Sequence, residues 1–222
     1  MTVSKAIFAL LLFPILLSAK GEEAGWEPLF DGKSTNGWIR WGNHQPLDED
    51  SKWQAIDGTL VLTGKGGGDI YSQESFENFE LSLEWKTEGN SGIMVRVDPS
   101  HKGAIWNKAP EMQVNREGNP KNMVSTSAGG LYQLYNIQGT EKVIHQDGWN
   151  EVRIRIVDDK ATYWFNGNVS CEFTFGSNDW NQRVQKSKFK KYEGFGLLKK
   201  GHIGLQDHGA KVAFRKIHIK RL

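Results

Sequence analysis

The chain has 222 residues, 38% hydrophobic and 24% charged, with a formal net charge of +2. That balance supplies no global field to attract nucleic acid or an anionic membrane. A single cysteine, Cys171, excludes an internal disulfide, and its position excludes a lipid anchor just behind an N-terminal leader.

In chain order, Lys5 precedes an apolar run from Ala6 to Leu17, with Pro14 inside it, which closes on Ser18 and Ala19. This is the layout of a secretory signal peptide over residues 1–19, and the run is short for a membrane span. No later stretch is apolar enough for a transmembrane segment, so the mature chain is expected to be soluble and exported, to a periplasm or beyond. Residues 25–222 suit one β domain.

From residue 53 onward, period-two alternation dominates. "IDGTLVLT" reads as a hairpin through Asp57-Gly58. In "ENFELSLEWKT", Phe79, Leu81, Leu83 and Trp85 share one face, and Glu80, Ser82, Glu84 and Lys86 the other. "WNEVRIRIV" sets Val152, Ile154 and Ile156 against Arg153 and Arg155, and "ATYWFNGNVSCEFTF" carries a hairpin signal at Asn166-Gly167. Segments 36–52, 99–109 and 176–192 read as irregular, and loops this long in a β domain are often functional. The basic stretch Arg183 to Lys200 reads as a solvated loop. No segment carries a helical stripe. Many short strands with turn residues between them predict an all-β, antiparallel, two-sheet jelly-roll sandwich.

Three polar clusters interrupt the apolar strands. In "APEMQVNREG", Glu111, Gln113 and Asn115 fall on one face and Met112 and Val114 on the other. An ordinary half-exposed strand would show the same spacing. Here Trp106 lies just before it, and "GGLYQLY" after it offers Tyr132 and Tyr135. Rings beside fixed donors and acceptors suit a sugar, whose C–H faces stack while its hydroxyls hydrogen-bond. In "GNSGIMVRVDPS", Arg96 shares a face with Met94 and Asp98. It is either a salt-bridged surface residue or a fixed cation beside Glu111, with Asn90 and Ser91 as further donors. In "LQDHG", Gln206 and His208 fall on one side and Leu205 and Asp207 on the other, and a rim histidine exchanges protons near neutrality.

The chain lacks HExxH, a P-loop, GxSxG and paired CxxC. A conventional glycosidase needs two carboxylates flanking the scissile bond. Glu111, followed on its face by two amides, fits a single general base better.

"WEPLFDGKSTNGW", "FENFELSLEWKTEGNSGIMVRV", "PEMQV" followed by "GGLY", "WNEVRIRI", "NGN" and "GHIGLQDHGAKVAFRKIHIK" occur in an order that resembles the 3-keto-disaccharide hydrolase family, from about Gly25 to Leu222. The resemblance implies a concanavalin A-like jelly roll and action on glycosides oxidised to a ketone at C3 by a partner oxidoreductase. Such a ketone acidifies the C2 proton, so one base removes it and the enolate expels the C1 substituent; water then adds for net hydrolysis. On that basis Glu111 or His208 is the base and the other the proton donor. Arg96 supports the enolate oxygen, and Gln113, Tyr132 and Gln206 position the sugar. A divalent ion held through Glu111, Asp207 or His208 would polarise the ketone. The sequence shows no recognisable ligand set for it, and Asn115 stands where an acidic residue is expected in many relatives.

Two other classes fit the same residues. A carbohydrate-binding module would use Trp106, Tyr132 and Arg96 for capture without turnover. A structural or partner-binding domain would depend on none of them singly.

Overall fold

The computed structural model describes residues 25–117, 126–138 and 144–222; the leader expected at residues 1–19 lies outside them. The strands in chain order are β1 (Trp26–Pro28), β2 (Trp38–Arg40), β3 (Trp53–Ile56), β4 (Thr59–Leu62), β5 (Ile70–Phe76), β6 (Phe79–Thr87), β7 (Asn90–Val97) and β8 (Glu111–Asn115). They continue as β9 (Asn150–Val157), β10 (Lys160–Phe165) and β11 (Asn168–Thr174), then a helix α1 (Asn178–Lys186), and finally β12 (Gly201–Leu205) and β13 (Val212–Arg221).

All strand pairs are antiparallel and form two sheets, as the alternation predicts. One is eight-stranded in the order β11-β10-β9-β6-β13-β4-β3, with β1 also on β13; the other is five-stranded in the order β2-β5-β12-β7-β8. Both expected hairpins form. Asp57 and Gly58 have φ of 48° and 75°, and Asn166 and Gly167 of 46° and 81°, the paired positive values of a turn whose twist matches its strands.

Between the sheets, Leu81, Leu83 and Trp85 of β6 and Ile154 and Ile156 of β9 meet Ile93 and Val95 of β7, Met112 and Val114 of β8, and Ile203 and Leu205 of β12 in one buried cluster. Glu80 departs from the in-out pattern: it faces outward but is only 3% exposed, because Arg153 and Arg155 both close on its carboxylate. A second apolar cluster, Tyr71, Met94, Val97, Ile105 and Ala109, lies on the opposite face of the five-stranded sheet. Segment 99–109 folds over that face, and Trp106 packs against both clusters. Among the described residues no helix is long and apolar enough to cross a membrane.

The reading of segment 176–192 as irregular is corrected. Its first half is α1, capped by Ser177, whose Oγ accepts from Trp180 N at 3.1 Å, with Asp179 in the first turn and Arg183 and Lys186 in the last. Only Trp180 and Val184 are buried, a stripe of two residues that is easily passed over in a helix this short. A 3-10 turn, Lys188–Lys191, follows at once, so the basic stretch read as a solvated loop is folded as far as Lys191, with its lysines exposed.

Candidate functional site

The register of β7 on β8 builds the floor of a pocket. Asn90 lies opposite Asn115, Gly92 opposite Gln113 and Met94 opposite Glu111. Met94 belongs to the outer cluster, so its cross-strand partner Glu111, and Gln113 two residues on, project from the outer face. Met112 and Val114 point into the core, as expected.

Among the described residues, Asn90, Trp106, Glu111, Gln113, Tyr132, Lys188, Gln206 and His208 line the pocket, which encloses about 160 Å³. Segment 126–135 runs along the free edge of β8. Gln113 N donates to Gly130 O, Gly129 N to Gln113 O and Tyr132 N to Glu111 O, each at 2.9 Å, which fixes Tyr132 beside the carboxyl. On the other side, β12 delivers Gln206, whose N donates to Gly92 O at 3.0 Å and whose carbonyl accepts from Ser91 Oγ at 2.8 Å. His208 is exposed at the rim.

The polar groups are arranged with vacant acceptors. Gln113 Nε2 donates to Asn90 Oδ1 and to Val114 O, but among the described residues Gln113 Oε1 is buried without a hydrogen-bond partner, and so is Gln206 Oε1. Buried acceptors are rarely left unpaired; two in one pocket suit a ligand rich in hydroxyl donors. The volume, below the roughly 300–1,000 Å³ of clefts that engulf larger ligands, fits a single ring.

Glu111 is only 6% exposed. Burial pushes its carboxyl up to about 8; Lys188 pulls it back, while Asp69 adds to the rise. Asp69 is itself raised to about 6, chiefly by burial, with its bond from the Asp207 amide opposing and the Asp207 charge reinforcing that shift. Asp69 does not line the pocket, and its Oδ1 accepts from Asp207 N at 2.9 Å.

"LQDHG" resolves into separate tasks. Leu205 is core, Gln206 and His208 line the pocket, and Asp207 ties down a glycine turn: its Oδ2 accepts from Gly66 N at 3.0 Å and Gly68 N at 2.9 Å, and its Oδ1 from Gly209 N at 2.8 Å. Asp207 is thereby spent on the backbone. Among the described residues no three His, Cys, Asp or Glu side chains gather where a metal ion could sit.

Arg96 is not brought to the site. Between Met94 opposite Gly204 and Val97 opposite His202, β7 carries one residue more than β12, and Arg96 has a φ of 57°. This bulge breaks the alternation and turns Arg96 away from Glu111. Its guanidinium lies 3.8 Å from the Phe175 ring centroid and donates to Gly196 O, Asp158 O and Asp159 Oδ1 at 3.0, 2.7 and 3.2 Å. Tyr135 is elsewhere too, stacked on Phe173 with its hydroxyl on Asp179 at 2.6 Å.

Among the described residues the lysine at the pocket is Lys188, which the sequence reading placed in a loop. Its Nζ lies 4.4 Å from the ring centroids of both Trp106 and Tyr132. Phe189, buried and stacked on Phe195 at 4.1 Å, anchors the 3-10 turn that carries it. The available signal was Ser187, whose Oγ accepts from Phe189 N at 3.0 Å, followed by one aromatic among lysines.

A 3-keto-disaccharide hydrolase of Bacteroides thetaiotaomicron is 30% identical over 89% of this chain and 79% of its own length. A crystal structure described as a putative glycosyl hydrolase from Parabacteroides distasonis superposes with a TM-score of 0.79 at 29% identity, covering 89% of this chain and 94% of that one. A second such structure from the same organism gives 0.67 at 26% identity, covering 89% and 99%. The sequence profile of the 3-keto-alpha-glucoside-1,2-lyase-like domain matches residues 25–220, nearly every residue that builds the two sheets and the pocket, and this chain belongs to that family.

Proposed function

We propose that the chain cleaves glycosides, disaccharides among them, that carry a ketone at C3, by removing the C2 proton and expelling the C1 substituent. The observation that carries this reading is that, among the described residues, the pocket is lined by one carboxyl, Glu111, and one lysine, Lys188. Acid-assisted displacement calls for two carboxylates across the bond; enolate chemistry calls for one base and positive support for the ketone oxygen. A carboxylate whose buried form holds its proton to about pH 8 is a strong base once ionised. We assign it the C2 proton.

His208, at the rim where a leaving group departs, donates to the glycosidic oxygen. Lys188 takes the role expected of Arg96 and faces the C3 oxygen. Gln113 and Gln206 accept from ring hydroxyls, Asn90 holds Gln113, and Trp106 and Tyr132 flank the sugar. Water adding to the resulting double bond completes hydrolysis; release of the enone ends the reaction as elimination. An oxidoreductase that converts the C3 hydroxyl to a ketone supplies the substrate. Export through the apolar segment at residues 6–17 is part of the same proposal, and the N-terminal residue of protein recovered outside the cytoplasm tests it.

The test of function is incubation with a chromogenic 3-keto-glucoside beside its unoxidised parent. Release from the keto compound alone is the expected result, and repeating it after chelation decides whether a divalent ion takes part. Saturable binding without release would replace this reading with a carbohydrate-binding module.

A further inference from the structure

Lys188 differs from the paired lysines of the molecule. Lys199 pairs with Asp159, Lys216 with Glu84, and Lys108 donates to Glu193 O. Among the described residues the Lys188 Nζ has no hydrogen bond or ion pair. It rests over three rings, 4.4 Å from the centroids of Trp106 and Tyr132 and 5.2 Å from that of Phe189. Its mount is rigid, with Lys188 N donating to Gln133 Oε1 at 3.3 Å and Phe189 sunk in the core. It shares the pocket with Glu111, yet no ion pair joins them, which leaves space between amine and carboxyl.

We infer that Lys188 is a nucleophile that forms an imine with the C3 ketone of the sugar, and that the C2 proton is removed from this iminium. The inference rests on the function proposed above and gives its cation a covalent role. The neutral amine attacks C3, forming a C–N bond while the carbonyl pair moves to oxygen and takes a proton. The carbinolamine then loses water to give the iminium. Glu111 accepts the C2 proton, the C–H pair moves toward C3 to give the enamine, and that pair returns to form C1=C2 as the C1–O bond breaks. The leaving oxygen takes its proton from His208. Water hydrolyses the conjugated iminium and restores the amine, so the water lost at the start is returned and nothing is oxidised or reduced.

Three features favour this over a purely electrostatic ammonium. The rings that hold a cation at Nζ hold an iminium at the same place. Burial lowers the ammonium from its ordinary range, although Glu111 opposes that shift, and Lys191 adds to it; a larger neutral fraction is what a nucleophilic lysine needs. Carboxyl and amine line one ring-sized pocket, so a single bound ring meets both.

The test is incubation of the protein with a 3-keto-glucoside and cyanoborohydride, followed by peptide mapping by mass spectrometry, with the parent glucoside and Lys188→Arg as controls. A reduced sugar adduct on the Lys188 peptide, absent from both controls, is the expected result. Lys188→Arg keeps the charge but cannot form the imine, and its kcat should fall by about 10² to 10⁴-fold, as for loss of an acid–base group. Cleavage without an adduct at Lys188, or an Arg variant within about threefold of wild type, overturns the imine and leaves the proposed function intact. Absence of both cleavage and adduct overturns the two together. Residue 188 is exposed overall, so Lys188→Arg does not threaten folding.

Discussion

Gly92 supplies the space in which the Glu111 side chain lies. A β-carbon at residue 92 would sit 2.5 Å from Glu111 Oε1 and 2.7 Å from its Cδ and Cγ. Gly92→Ala should therefore displace the carboxyl. A misplacement of about 1 Å at a reacting group costs roughly 100-fold. Steady-state kinetics on a 3-keto-glucoside should show that loss in kcat, with KM changed much less.

Glu111 should also make the protein less stable in alkali. Its folded carboxyl holds the proton to about pH 8, against an ordinary value of 4.5. Protonation is favoured in the folded state, so the stabilisation is complete below pH 4.5 and is lost as pH rises through 8. Glu111→Gln removes this penalty, worth up to about 5 kcal/mol. Thermal melts at pH 9 should place the variant above wild type, by roughly 2–4 °C per kcal/mol, while its activity should be lost. In wild type the same ionisation should make kcat/KM rise with pH toward a midpoint near 8.

Asp207 and His208 are neighbours with separable effects. Asp207→Ala leaves Gly66, Gly68 and Gly209 amides without their acceptor and should cost about 1.5–3 kcal/mol, measured by urea unfolding. His208→Gln, at an exposed position, should leave the unfolding midpoint unchanged and lower kcat by about 10² to 10⁴-fold.

Arg96→Met tests the reassignment of the cation. It removes three hydrogen bonds from a residue only 2% exposed and should cost about 1.5–3 kcal/mol. Activity per folded molecule should not change. A specific loss of kcat with unaltered stability would return Arg96 to the site.

The strands and most of the pocket were legible because alternation fixes which side chains share a face. Glu111 with Gln113, and Gln206 with His208, follow from that rule and from the rings near them in sequence. Arg96 defeats the rule through one extra residue: alternation counts positions, and a bulge resets the count. Lys188 was illegible for a different reason. Its position depends on Phe189 stacking on Phe195 and on α1 packing through Trp180 and Val184, contacts in three dimensions with no period along the chain. Asp69, whose charge adds to the rise of Glu111, likewise depends on the chain returning at Asp207.

The most direct test is hydrogen exchange at C2. The folded protein is incubated with an unlabelled 3-keto-glucoside in deuterated water, and the sugar product is analysed by mass spectrometry and NMR, beside Glu111→Gln. Proton abstraction requires that the original C2 hydrogen be absent from every product molecule, replaced by deuterium after hydration or missing from the enone, and that the variant form almost no product. Aglycone release with the original hydrogen retained at C2 would contradict it.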